Sequence, residues 1–235
     1  MVTNNKKTTA NLFPLQNLIL NPGSKLTLNI FEKRYLNLLD DCLKNKTPMA
    51  IGHAYKGPLE ISADTNTDGS DEHTNKSLIK KVTAIPHESF PFIYSEVGFG
   101  RVKVLVETPA KTKIILVEGL GKGRISSHFQ TQGNFITAEL NPIDYEDQLH
   151  DDFVFLYRRL EELTRDRVKE LVKDSREENI IMKSIANPTE LVAFYADHLL
   201  KDFDLRLEIF SLNDINEKID LLSSFVLSNT EKSFH

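Results

Sequence analysis

The chain has 235 residues, 40% hydrophobic and 27% charged, with a formal net charge of −5. It can bury one large core or two small ones, and no apolar run approaches the ~18 residues of a membrane helix. From the polar start with Lys6 and Lys7 no signal peptide is expected, and a single cysteine, Cys42, excludes an internal disulfide and would suit a reducing cytoplasm.

The charge is uneven. Residues 1–143 carry 17 Lys/Arg against 13 Asp/Glu, giving +4, and residues 144–235 carry 12 against 21, giving −9. The positive excess is spread thinly, which disfavours nucleic acid as a partner, since that needs a basic cluster on one face.

An apolar run from Leu12 to Leu20, interrupted by Pro14, opens the pattern. Asn21-Pro22-Gly23 breaks it with the residues of a tight turn. Lys25 to Ile30 then alternates polar and apolar, which predicts a half-buried strand. Phe31, Tyr35, Leu38/Leu39 and Cys42/Leu43 follow at helical spacing, and predict an amphipathic helix with Cys42 on its buried face. Met49 to Tyr55 reads as another strand. Residues 62–77 hold one alanine and no larger apolar side chain, so they are expected to be a mobile loop. Ile85 to Gly100 is rich in aromatics, with Phe90, Phe92, Tyr94 and Phe99.

Val102, Val104 and Val106 alternate, Thr108 to Lys111 turns, and Ile114 and Leu116 return as a hairpin. The run from Gly119 to Arg124 is expected to end that strand, with Phe135 to Leu140 supplying one more and Asn141-Pro142 closing the β-rich part. Six or so short strands suggest a small, partly closed barrel, which leaves few sheet edges.

From Asp151 the period becomes helical. Phe153, Leu156, Leu160, Leu163, Val168 and Leu171 trace one stripe. Asn187-Pro188-Thr189-Glu190 has the composition of a capped helix start, and Leu191, Tyr195 and Leu199 continue its face. A last helix is expected near Asp214, with Ile215, Ile219, Leu222 and Val226 facing inward.

The ordered set Leu12-Phe13-Pro14-Leu15, Pro22-Gly23, Leu26-Thr27-Leu28 and Ile30-Phe31-Glu32-Lys33-Arg34-Tyr35 resembles the opening of the Lon N-terminal, or substrate-binding, domain family. Leu116 to Ile125, including Gly119 and Arg124, is similar to a later strand of that family, and Asp214 to Leu222 to its final helix. The resemblance runs from about residue 12 to 228 and implies an α+β chain. Its expected parts are a PUA-like six-stranded pseudo-barrel with one early helix over residues 1–145, and a helical bundle over 146–235. No counterpart of Lon's ATPase or Ser-Lys protease modules is present, so a stand-alone module is expected.

Chemistry is hard to find in this sequence. The seven histidines have no metal-site spacing, and one cysteine adds nothing to them. Gly119-Leu120-Gly121-Lys122-Gly123 lacks the Ser/Thr and following helix of a phosphate loop, and reads as a turn or bulge between strands. Adjacent acids such as Asp40-Asp41 splay around a helix. No catalytic residue, cofactor or metal is therefore expected.

Phe13, Pro14, Pro22, Gly23, Phe31 and Tyr35 read as fold determinants, and Glu32 and Arg34 as an ion pair with other elements. Phe90, Phe92 and Tyr94 share one side of an extended chain, facing either the core or solvent as an apolar strip. With Phe99 they are the candidate binding residues, because exposed aromatics anchor interfaces.

The expected function is non-catalytic binding of protein or peptide clients, unfolded or degron-bearing, with a separate protease or ATPase as further partner. RNA binding, which some PUA-like folds perform, is the alternative. An enzyme whose constellation assembles only in three dimensions is the third. Client identity and oligomeric state are not legible in the sequence.

Overall fold

The structure is a computed structural model that describes residues 7–55, 82–87, 90–109, 111–172 and 174–232. The polar segment 62–77 lies outside the described residues. The chain divides into two compact units, residues 1–143 and 144–235. Together they make an α+β protein with a mostly antiparallel sheet.

In the first unit the strands are β1 (Thr8–Leu15), β2 (Lys25–Ile30), β3 (Met49–Tyr55), β4 (Val82–Ala84), β5 (Phe92–Tyr94), β6 (Glu96–Glu107), β7 (Lys113–Gln130) and β8 (Ile136–Ile143). Helix α1 (Lys33–Asn45) follows β2. Five strands bond in a circuit: β1 to β8, β8 to β7, β7 to β6, β6 to β3, and β3 back to β1 as the parallel pair. β2 bonds the first part of β7, while β5 and β4 extend outward from β3.

Two prolines sit inside strands, where a missing N–H normally breaks a ladder. Each lies where one neighbour has already ended. Pro14 faces Gly52 beyond the β8 pairing, which stops at Leu12, and Pro142 faces Gly123 beyond the β1 pairing, which stops at Leu140.

Pro22 and Gly23 form the centre of a turn in which Ser24 N donates to Asn21 O. Gly23 has φ of 82°, as the third position of a type II turn requires. The turn is braced by Gly23 N donating to Gly119 O, and Gly119 N donating to Ser24 O. A Cβ on Gly98 would fall on the carbonyl oxygen of Leu20, and one on Gly119 on that of Asn21. The glycines therefore admit the Leu20–Asn21 backbone onto the sheet.

Three expectations about this unit change. β7 does not end at Gly119 but runs unbroken to Gln130. The glycine run instead holds a bulge, because Phe99 faces Gly121 while Gly100 faces Gly119, leaving Leu120 unmatched. β8 likewise passes through Asn141-Pro142 to Ile143. Helix α1 begins at Lys33, so Phe31 lies outside it, and its side chain is 65% exposed instead of buried. Tyr35, Leu38, Leu39 and Cys42 are the buried face, joined by Phe13, Leu20, Ile30, Met49, Ile51, Ile115 and Val117 in one core. A second core gathers Leu12, Ile85, Ile93, Val97, Ile136 and Leu140.

The second unit contains α2 (Val154–Leu171), α3 (Ser175–Lys183), α4 (Pro188–Phe194), α5 (Phe203–Ser211) and α6 (Ile215–Lys232). A 3-10 turn at Asp151–Phe153 leads into α2, and a π-helical turn at Tyr195–Leu199 continues α4. Asn187 Oδ1 accepts from Glu190 N, while Glu190 Oε2 reaches back to Ala186 N, one residue before the usual partner in a capping box. Leu160, Leu191, Tyr195, Ile209, Ile215, Ile219, Leu222 and Val226 form the core. Leu171, expected on that stripe, is 69% exposed because α2 ends there, clear of the core. Helices α3 and α5 escape a sequence reading. In α3 only Glu178 and Met182 are buried, and α5 spans just nine residues.

Lys218 on α6 is only 7% exposed, and burial pushes its ammonium down to about 8 from a usual 10.5. Holding it charged at neutral pH costs on the order of 3 kcal/mol, at about 1.4 kcal/mol per pH unit. Between pH about 8 and 10.5 the unfolded chain binds the extra proton, so stability rises with pH across that window. Lys218→Met should stabilise the protein to urea at pH 7 by a few kcal/mol at most, on the order of the cost above, and flatten that alkaline rise. Conversely, Gly98→Ala forces Leu20 away and should cost about 1–3 kcal/mol in the same assay.

Candidate functional site

The motif around Tyr35 supplies one wall of a cleft. The Tyr35 ring packs edge-on against Phe13 of β1, with centroids 4.2 Å apart. The Arg34 guanidinium lies 4.6 Å over the same ring and is held by Glu32, Nη2 to Oε2 at 2.8 Å and Nε to Oε2 at 2.9 Å. The expected ion pair thus forms within the motif and not with another element.

Tyr35 Oη lies 3.2 Å from His87 Nε2, and Phe90 N donates to His87 Nδ1 at 3.0 Å. With Nδ1 accepting, the neutral ring carries its proton on Nε2 and donates it to the Tyr35 oxygen. The Phe90 ring stacks on His87 at 5.4 Å. Burial, opposed by Arg34 and aided by Glu32, pushes the Tyr35 phenol up to about 12, so it stays protonated at neutral pH. Arg34, Tyr35 and His87, with Pro14, Gln130, Asn134 and Phe135, line a cleft of about 150 Å³.

A wider groove of about 600 Å³ also uses Gln130 and Phe135, so the β7–β8 hairpin tip is a wall common to both hollows. The tip is braced locally. Asn134 N donates to Thr131 O, Thr131 N to Phe135 O, and Asn37 Nδ2 on α1 to Gly133 O. The groove floor is a buried polar chain. Thr137 Oγ1 donates to Asn11 Oδ1 at 2.9 Å, and Asn11 Nδ2 donates to Asp41 Oδ2 at 2.7 Å and to Cys42 Sγ at 3.5 Å. Burial raises the Cys42 thiol to about 11, which leaves it unreactive at neutral pH. At the groove's side Phe129 is 55% exposed.

The aromatic segment is not one exposed strip. Tyr94 is only 2% exposed, Ile93 between the aromatics is fully buried, and Phe99 packs against the second core. Phe90 and Phe92 are half-buried. Of the family-motif positions, Pro14, Arg34 and Tyr35 reach the cleft, while Phe13 is core. Pro22, Gly23 and Gly119 build the turn, and Arg124 pairs with Glu96 at 2.6 Å. The sequence reading passed over His87, Phe129 and Phe135. The available signal was an aromatic at each end of the polar run Gln130 to Asn134.

In the second unit a depression of about 560 Å³ is lined by Asp144, Glu146, Asp214 and Glu217. Asp214 is committed there to Asn216, accepting from its N and Nδ2. Among the described residues no group of three or more His, Cys, Asp or Glu could hold a metal ion, and no helix is long and apolar enough to cross a membrane.

Residues 9–228 match the family model of the ATP-dependent protease La (LON) substrate-binding domain, and the chain belongs to that family. It is 21% identical over 229 residues to Lon protease 1 of Hydrogenovibrio crunogenus, covering 93% of this chain and 25% of that protein's length. The chain therefore spans about a quarter of the curated relative it matches. Its fold is similar to the Lon N-terminal domain protein from Xanthomonas campestris, with TM-score 0.57, 16% identity, and coverage of 92% of this chain and 98% of the other. It is also similar to the N terminal domain of Mycobacterium avium complex Lon protease, with TM-score 0.60, 10% identity, and coverage of 92% and 96%.

Asn11→Ala would leave Thr137 and Asp41 without their buried partner. It should lower stability by about 1–3 kcal/mol, read from the urea midpoint.

Proposed function

We propose that this domain binds exposed segments of client polypeptides in the cytoplasm and does no bond-breaking itself, the client passing to a separate protease or ATPase. The strand circuit is read as a PUA-like pseudo-barrel that serves as a rigid platform. The observation that carries the proposal is the family match over residues 9–228, joined here to a groove of the right kind. An open hollow of about 600 Å³, lined by hydroxyls, amides and the Asp41 carboxylate beside an exposed Phe129, suits a peptide backbone with one apolar anchor. Tyr35 and Cys42 both hold their protons well above neutral pH, so neither serves as a nucleophile there.

Phe129 is the proposed main contact, with half-buried Phe90, stacked on His87, and half-buried Phe92 as lesser ones. Tyr94, which is buried, and Phe99, which packs against the second core, are proposed to support the fold and not to touch the client. Fluorescence anisotropy with labelled β-casein, an unfolded chain, should show saturable binding in the micromolar range. Phe129→Ser should weaken it about tenfold, which is ~1.4 kcal/mol, without shifting the melting temperature. Phe90→Ser with Phe92→Ser should weaken it less. A flat titration up to ~100 μM would sink the proposal, since that corresponds to under ~5.5 kcal/mol.

A further inference from the structure

Strand β2 has one bonded neighbour among the described residues, β7, with which it keeps an unbroken six-residue register from Lys25–Glu118 to Ile30–Lys113. In such a strand alternate residues turn their N–H and C=O groups away from the partner. Edges of this kind are usually guarded by a bulge, a proline or a charged row.

The sheet offers its own contrast. Among the described residues β6 between Arg101 and Glu107 also pairs only with β7, but it carries a bulge at Leu105, because Val104 faces Ile115 and Val106 faces Ile114. It also carries exposed Arg101, Lys103 and Glu107. β2 has no bulge and no proline. Its outer face is Lys25, Thr27 and Asn29, its inner face Leu26 and Leu28 packed on the core. At its end Phe31 is 65% exposed, although neither the helix nor the core uses it.

We infer that β2 accepts an extended segment of the client as an added strand, with Phe31 as the apolar anchor at its end. This rests on the client-binding function proposed above and adds the mode of recognition. Main-chain pairing reads extendedness, not sequence, which fits clients defined by being unfolded. The charges choose the occupant. Lys25 at the strand's start and Lys33 beyond its end are exposed, while Glu32 is tied to Arg34. The segment that fits is therefore apolar at alternate positions and acidic at its flanks.

The test uses the whole protein, isotope-labelled, and a synthetic peptide of about twelve residues that alternates Val and Thr between terminal glutamates. At saturation, alternate amides of Lys25 to Ile30 should exchange about tenfold more slowly or better, or ~1.4 kcal/mol. Two isomers N-methylated on opposite sets of alternate residues should separate, one binding and one not. Phe31→Ser should weaken binding about fivefold with unchanged melting, within the range of one interface aromatic.

Saturable binding with protection only at the β7–β8 tip, or equal tolerance of both N-methylated isomers, would overturn the edge inference and leave client binding standing. Slow β2 amides in a peptide-free dimer would overturn it in favour of a second copy of this chain. Absence of binding by both this peptide and casein would overturn both readings.

Discussion

The contact on which the first unit depends is the seat of the Leu20–Asn21 backbone on Gly98 and Gly119. Backbone against backbone, with no side chain between, is the closest approach two segments make, and only glycine permits it. It brings the chain over β6 and β7 so that the Pro22-Gly23 turn can lay β2 along β7. From there α1 leaves at a fixed place, and Tyr35 arrives beside Phe13 and His87. The Leu120 bulge lies within the same glycine run, between the residues that face Gly100 and Phe99. A bulge increases local twist, which helps one strand serve β2 and β6 early and β8 late.

That dependence explains what could be read in the sequence. β2 is bounded as its alternation indicated, because local pattern and tertiary burial agree there, and β3 keeps its expected bounds although its residues are buried almost throughout. The length of β7 was hidden by Gly119, Gly121 and Gly123, since glycine marks a turn and a close approach alike. Pro142 misled in the same way, because its tolerance inside β8 depends on where β1 stops, a tertiary fact. Helix α3 buries Glu178 against Arg165, so its inward face does not look apolar.

The site was legible only in part, for a related reason. Arg34 and Tyr35 stood out as motif residues, yet His87, the partner of Tyr35, lies 52 positions from it in the chain. Period-2 reasoning placed Phe90, Phe92 and Tyr94 on one face, but β5 is covered on more than one side. Ile93 and Tyr94 are both buried, so alternation carries no in–out information there. Phe31 fails in the opposite sense. Its spacing fits the α1 stripe, but the helix starts two residues later and the ring is left in solvent.

The exposed aromatics and the guarded edge follow one logic. β6 carries its bulge and charges where it loses β3 as a neighbour, which is where an open edge would invite stray pairing. β2 lies on the opposite side of β7 with no such guard, and the unabsorbed Phe31 is attached to its end. Phe129 is likewise left out beside a groove whose floor residues, Asn11 with Thr137 and Asp41, are hydrogen-bonded to one another. A floor whose polar groups bond one another selects a particular side chain less than an unpaired one would, whereas an exposed ring rewards any apolar one. Under the client-binding function proposed above, the order lies in the platform and recognition falls to main chain and generic apolar contact, which would suit clients that share a state and not a sequence.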